Sequence, residues 1–330
     1  MKRRFALALL LWIGMILLSV CLGRYPLSLG EIGGILIGQA PSPTAEALFY
    51  EIRLPRTVLV AVGGGALALS GLVFQTIFSN PLVSPDVLGV TSGCSVGAVF
   101  ALLYLPASAV MLQGSSFLCG IGAVIFSLWL SRFVRSNRVL GMVLAGIVVG
   151  SVSSSILMIF KVLADPNHQL PAIEYWLMGG FQNGNWSDVA SVAVLVIPCS
   201  LGLYLFRFRL KVLSLGDDQA QSLGVSPGFV RVICIGAATV LVSAVVSVAG
   251  VVSWIGLIAP HLIRLWGAGD VTKNMGTCFF AGGALLLAAD LCARSLSTIE
   301  IPISIFTSLF GAAFLAVLLV SGSVRRKGGI

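Results

Sequence analysis

The chain has 330 residues, 58% of them hydrophobic and only 10% charged, with a formal net charge of +8. Its mean hydropathy is +1.04, whereas roughly a quarter of a soluble domain is charged, so a water-soluble globular fold is excluded. The positive balance does not point to nucleic acid, because basic residues collect at the cytoplasmic ends of membrane helices.

Apolar stretches run near residues 5–22, 56–78, 91–110, 115–132, 139–162, 189–206, 230–250, 251–266, 275–293 and 303–321. Stretches of about 20 apolar residues cross the hydrocarbon core as helices, and none shows the alternation of a membrane β-barrel. The predicted fold is an all-α membrane protein with about ten transmembrane helices and both termini cytoplasmic. A single transmembrane domain covers 1–330, with no separate soluble domain. Met1-Lys-Arg-Arg4 before residues 5–22 resembles a secretory signal, and Leu18-Ser-Val-Cys21 loosely resembles a lipoprotein box. Val20 is larger than the small residue a cleavage point needs, so the segment is read as an uncleaved first span. Seven scattered cysteines lack metal-ligand spacing and read as small buried hydrophobes.

Ten spans put fifteen of the twenty basic residues on one side: Lys2, Arg3, Arg4, Arg132, Arg135, Arg138, Arg207, Arg209, Lys211, Arg231, Arg264, Lys273, Arg325, Arg326 and Lys327. Arg24, Arg53, Arg56, Lys161 and Arg294 fall on the other. The asymmetry makes the first side cytoplasmic.

On the outer side, Ser28-Leu-Gly-Glu31 is a capping box that opens a short helix through Ile37. Arg53-Leu-Pro-Arg56 places two cations at the mouth of the second span, with Pro55 starting its helix. Gly63-Gly-Gly65, Ser70 and Gly71 give that helix a small-residue face for close packing. Asn80-Pro81 and Ser84-Pro85 then break it, leaving irregular backbone that must be buried in protein or line water. In the fifth span Gly150, Ser151, Ser154 and Ser155 either line a water-filled path or glue helices together. Lys161, at that span's outer end, either attracts anionic cargo or snorkels. Residues 166–181, with Tyr175 and Trp176, read as an interfacial piece.

The most informative feature is the lone polar segment 213–225 between two spans. Asp217 and Asp218 after Gly216 suit a helix N-terminus, and Gly224 suits its end. Leu215, Ala220 and Leu223 form a small apolar face that asks for cover. Near the C-terminus, Asp290 lies inside the ninth span and Arg294 four residues on, so the two are read as an intramembrane pair. Three outer arginines, Arg53, Arg56 and Arg294, also suit an acidic soluble partner.

Catalytic signatures are absent. There is no phosphate loop, no His-Glu-x-x-His and no nucleophile elbow, and His168 and His261 fall on opposite sides. No catalytic, metal or cofactor site is expected. Work against a gradient then needs energy from another chain. An ion-gradient-driven secondary transporter is the alternative, but it needs membrane carboxylates, and Asp290 alone is clearly embedded.

Seven stretches, in order and over nearly the whole chain, carry a resemblance. They are Arg53-Leu-Pro-Arg56; Asn80-Pro-Leu82 with Leu88-Gly-Val90 and Ser92-Gly93; Tyr175-Trp-Leu-Met-Gly-Gly180; Leu215-Gly216 through Ser222-Leu-Gly224; Gly256-Leu257 with Pro260-His261; Ala289-Asp290 with Ala293-Arg294; and Glu300-Ile-Pro302 with Gly311-Ala312. Together they resemble the FecCD-type permeases of type II ABC importers, which carry iron–siderophore complexes, haem and vitamin B12. That resemblance implies a ten-helix subunit in the cytoplasmic (inner) membrane, paired with a second permease copy, two cytoplasmic ABC ATPases and an external substrate-binding protein. It implies that Arg53, Arg56 and Arg294 receive acidic residues of the binding protein. Leu215, Gly216, Asp217, Asp218, Ala220, Leu223 and Gly224 would form the coupling helix in the ATPase cleft. ATP and Mg would bind the ATPase alone. The default cargo is an iron chelate, siderophore or haem, with cobalamin or a molybdate-type oxyanion as alternatives.

Overall fold

Each of the ten apolar stretches forms a helix in the computed structural model, which describes residues 2–23, 25, 27–134, 138–266, 270, 272–297 and 299–327, with side chains up to 320. In chain order the helices are α1 (Lys2–Cys21), α2 (Leu29–Leu36), α3 (Pro43–Ala47), α4 (Leu54–Ile77), α5 (Val90–Tyr104), α6 (Ala109–Ser131) and α7 (Arg138–Leu163). They continue as α8 (Gln169–Met178), α9 (Trp186–Leu213), α10 (Asp217–Ser222), α11 (Pro227–Ala249), α12 (Ile255–Leu265), α13 (Met275–Ser295) and α14 (Ile303–Lys327). Among the described residues eight helices are long and apolar enough to cross a membrane. The other two spans, α5 and α12, have only 15 and 11 residues.

Helix α4 is apolar on every side and buried along almost its whole length, as an all-round apolar helix must be. It packs against α13, α11, α12, α9 and α1, while α5 and α6 pair beside it and α7 and α14 lie at the periphery. The small-residue face read from the sequence is where the backbones meet. A Cβ on Gly64 would lie 2.5 Å from the Gly282 carbonyl oxygen, and one on Gly71 would lie 1.8 Å from that of Gly256. No side chain fits at either place. The entry to α4 holds one feature the sequence does not show. Pro55 stands in the first turn of α4 as read, but that helix does not begin from extended chain, because a π-helical stretch, Leu48–Arg53, joins α3 to α4. The shifted ladder leaves the missing proline N–H at a register break.

Both short helices follow breaks in the chain. Segment 79–89 re-enters the bundle before α5, and segment 250–254 interrupts the path from α11 to α12. Their polar backbone groups find protein partners, as irregular structure at membrane depth requires. Ser127 Oγ donates to the Leu88 carbonyl at 2.9 Å, and Asp86 accepts from the Thr91 amide at 2.9 Å. Pro260 cannot donate to the Gly256 carbonyl within α12. Gln75 Nε2 reaches that oxygen at 3.4 Å and Leu257's at 3.3 Å instead. The two breaks meet at a cavity of about 290 Å³, lined by Pro85, Asp86, Ser253 and Trp254 among others.

Six ion pairs among the described residues test the sidedness. Arg56, Asp290, Arg294 and Glu300 form one group, and Lys161 pairs with Glu174, all at ends assigned outward. Lys211–Asp270 and Arg231–Asp217 pair at ends assigned to the cytoplasm. Contacts between residues far apart in sequence thus sort the chain into the same two sides as its charge asymmetry. Arg24, Arg135 and residues 328–330 lie outside the described residues, as do the side chains of Arg325, Arg326 and Lys327.

Candidate functional site

Two clusters stand at opposite ends of the bundle. At the outer end, the sequence places Arg53 and Arg56 as fixed positive charge facing water and pairs Arg294 with Asp290. The structure brings all three together but turns them inward, 4%, 8% and 5% exposed. The reason lies in α1. Its last carbonyls have no partner within the helix. Arg53 donates to Val20 at 3.0 Å, to Cys21 at 3.2 Å, and to the Tyr25 carbonyl. Arg294 donates to the Ser19 carbonyl and hydroxyl, both at 2.6 Å, and that hydroxyl lies 2.9 Å from Thr57 Oγ1. Two cations therefore cap a helix C-terminus, where the macrodipole is negative. Gly23 leaves room for this, since a Cβ there would sit 2.8 Å from Arg53 Nη2.

Arg56 is held differently. Its Nε and Nη2 donate to Asp290 Oδ1 at 3.0 and 2.6 Å, and Nη2 also pairs with Glu300. Asp290 is fully buried, and its Oδ2 lies 3.2 Å from Arg294 Nε. The predicted intramembrane pair is thus part of a four-membered cluster of two guanidiniums and two carboxylates, with Arg53 on the neighbouring end of α1. The sequence places Glu300 among the outer acids and in the Glu300-Ile-Pro302 stretch. Nothing in the spacing links it to Arg56, 244 positions earlier.

At the cytoplasmic end, the polar segment contains α10 between two positive-φ glycines, Gly216 at +110° and Gly224 at +75°. Gly224 closes the helix in a Schellman motif. Its amide donates to the Gln221 carbonyl at 2.9 Å, and the Val225 amide donates to that of Ala220 at 2.9 Å. Asp217 and Asp218 occupy the first turn as expected.

The apolar face needs a correction. Ala220 is fully buried against its own subunit, because one side of so short a helix must seat on the bundle, whereas Leu215 and Leu223 are 52% and 62% exposed. Phe229, 57% exposed at the start of α11, was not singled out in the sequence, where an aromatic at a span's end reads as an interfacial anchor. Asp217 makes a two-pronged contact with Arg231 of α11 at 2.7 and 3.3 Å. That hydrogen bond, aided by the charges of Arg231 and Arg138, holds the Asp217 carboxyl below its ordinary range against the opposing effect of burial. The cytoplasmic helix is thus bolted to α11.

On α7, Ser151, Ser154 and Ser155 are exposed, Gly150 is half-buried, and Ser153 is buried. Ser155 Oγ donates to the Ser151 carbonyl at 3.0 Å. The hydroxyl-bearing face points out of the subunit among Ile147, Val148, Val152 and Ile159, all exposed. Lys161 is 2.9 Å from Glu174, so its charge is matched locally. Among the described residues no group of His, Cys, Asp and Glu could hold a metal ion.

The FecCD transport family model matches residues 9–321. The molybdate import system permease protein MolB of Haemophilus influenzae is 35% identical, the match covering 100% of this chain and 97% of that protein. The vitamin B12 import system permease protein BtuC of Escherichia coli O6:H1 is 36% identical, with 93% of this chain and 92% of that protein covered. A solved ABC transporter described as metal-chelate type, in an inward-facing conformation, superposes with a TM-score of 0.89 at 33% identity. It covers 97% of this chain and 100% of its own.

Proposed function

The chain belongs to the FecCD transport family and is an ABC permease subunit, and from that premise we propose that it imports an iron chelate, siderophore or haem, by alternating access. In this reading two copies pair through the faces carrying α7 and α14. Two ATPases, which alone hold ATP and Mg, seat on the cytoplasmic ends. An external binding protein delivers cargo to the outer face. This subunit supplies no catalytic residue, and it works in the cytoplasmic membrane.

The observation that carries the reading is the exposed pair Leu215 and Leu223 on a helix bolted to the bundle through Asp217 and Arg231. An apolar face this small, outside the membrane, is stabilised by a partner. A push on it is transmitted to α11, which packs on α9, α4 and α6. Outside, Arg56 is the arginine with a partly exposed carboxylate partner, Glu300, so docking falls first on it. Arg53 and Arg294 add positive potential from beneath.

Small hydroxyls on an outward face of α7 suit a path between two copies better than lipid contact, because lipid offers them no partner. A lining of Gly150, Ser151, Ser154 and Ser155 is uncharged, which suits a chelate that wraps its metal's charge. Lys161, paired with Glu174, supplies no free cation there. A molybdate-type oxyanion is the second cargo reading, favoured by the full-length similarity to the Haemophilus molybdate permease.

ATP drive is tested by collapsing the membrane gradient in cells or vesicles that retain ATP. Uptake of the radiolabelled cargo persists on this reading. Its loss would assign the chain to the gradient-driven class and make Asp290 the candidate relay.

A further inference from the structure

Arg56 is gripped by two carboxylates that differ in one respect. Asp290, on α13, is fully buried and shared with Arg294. Glu300 stands on the connection from α13 to α14, its side chain 17% exposed against 1% for Asp290. Glu300 therefore covers the guanidinium from the watery side. Two apolar side chains on the same connection, Leu296 and Ile299, are 67% and 78% exposed and find no cover within the subunit. Two guanidiniums pair with two carboxylates, and Arg53, held by the backbone carbonyls at the end of α1, leaves this corner with one net positive charge while Glu300 is in place.

We propose that Glu300 is an internal stand-in for the binding protein's carboxylate, occupying Arg56 until docking displaces it. This rests on the docking role proposed for Arg56. The exchange conserves charge at the guanidinium, since one carboxylate leaves as another arrives, while Asp290 holds Arg56 in position throughout.

The geometry also says where the displacement is felt. Just beyond Glu300, the Ile303 amide donates to the Gly179 carbonyl at 3.2 Å. Ser304 Oγ lies 2.6 Å from the Met178 carbonyl oxygen and 2.7 Å from that of Val251, its one proton shared between them. The first turn of α14 is thereby tied to the end of α8 and to the break before α12. Freeing Glu300 loosens the connection that feeds this junction, so docking is reported to α14. Glu300 is a positioning residue: it sets the affinity of the outer face and links its occupancy to a peripheral helix.

The test uses the assembled transporter in nanodiscs and measures the Kd of its binding protein. With the competitor's charge gone, Glu300→Gln is expected to tighten docking about tenfold. Glu300→Asp, which keeps the charge, stays near wild type, and Arg56→Gln weakens docking. Unchanged or weaker docking by Glu300→Gln, with Arg56→Gln still impaired, overturns the stand-in and leaves the docking role intact. An Arg56→Gln variant that docks normally overturns the docking role itself. If Glu300→Gln fails to assemble, spin labels on Ile299→Cys and Leu29→Cys decide, read against the identically labelled parent, whose seven native cysteines set the background. The distance between the two labels lengthens on docking if Glu300 is displaced, and an unchanged distance overturns the proposal.

Discussion

Leu223→Asp should abolish co-purification of the ATPase while leaving the permease folded in the membrane. Leu223 is the last residue before Gly224 and is 62% exposed, so its replacement disturbs nothing inside the subunit. In a cleft on a partner, burying the leucine contributes roughly 1.5–3 kcal/mol. The aspartate forfeits that and adds an unpaired, desolvated charge costing several kcal/mol more. Losses of that order weaken association by at least ~10³-fold. The measurement is the ATPase-to-permease ratio after affinity purification in mild detergent, with Leu223→Met as the control that keeps the complex. A full complement of ATPase on the aspartate variant would remove α10 from the interface.

The second large effect is expected at the other end. Asp290→Ala strands Arg56 and Arg294 together, since each reaches Asp290 and their remaining partners are Glu300 and the end of α1. Removing one member of a buried ion pair typically costs 3–5 kcal/mol, because the surviving charge stays buried. Here two like charges survive side by side. The variant should accumulate poorly and melt well below wild type in detergent. The pair Asp290→Leu with Arg294→Leu should recover part of the loss, because Arg56 then keeps Glu300 and no second guanidinium is left without a carboxylate. Wild-type melting by Asp290→Ala would mean that the cluster contributes nothing to the outer end of the bundle.

The span count and sidedness were legible because both are compositional. Lipid demands apolar length, and basic residues mark one side whatever the packing. Motif glycines were legible for a similar reason: Gly71 and Gly64 are small because a backbone crosses there. What could not be read was orientation. Arg53 and Arg56 were placed at the correct end but assigned to water, because a sequence does not show that the end of α1 offers Arg53 carbonyls without partners, or that Asp290 and Glu300 close on Arg56. Ala220 was put on the exposed face by spacing alone, and a six-residue helix has too few turns to show which side seats on the bundle. The links from Asp217 to Arg231 and from Arg56 to Glu300 depend on how helices meet across the fold. Gln75, which serves the carbonyl that Pro260 leaves free, depends on it too. The shortness of α5 and α12 was half-visible: the proline and glycine breaks were seen, their depth was not.

The central claim is that this chain is moved by an ATPase it does not contain. A tagged copy recovered from native membranes in mild detergent, with its partners identified by mass spectrometry and assayed for ATP hydrolysis, tests that directly. The account predicts a phosphate-loop ATPase at equal stoichiometry with the permease, and hydrolysis that rises when the loaded binding protein is added. A clean, folded complex without any ATPase would contradict it.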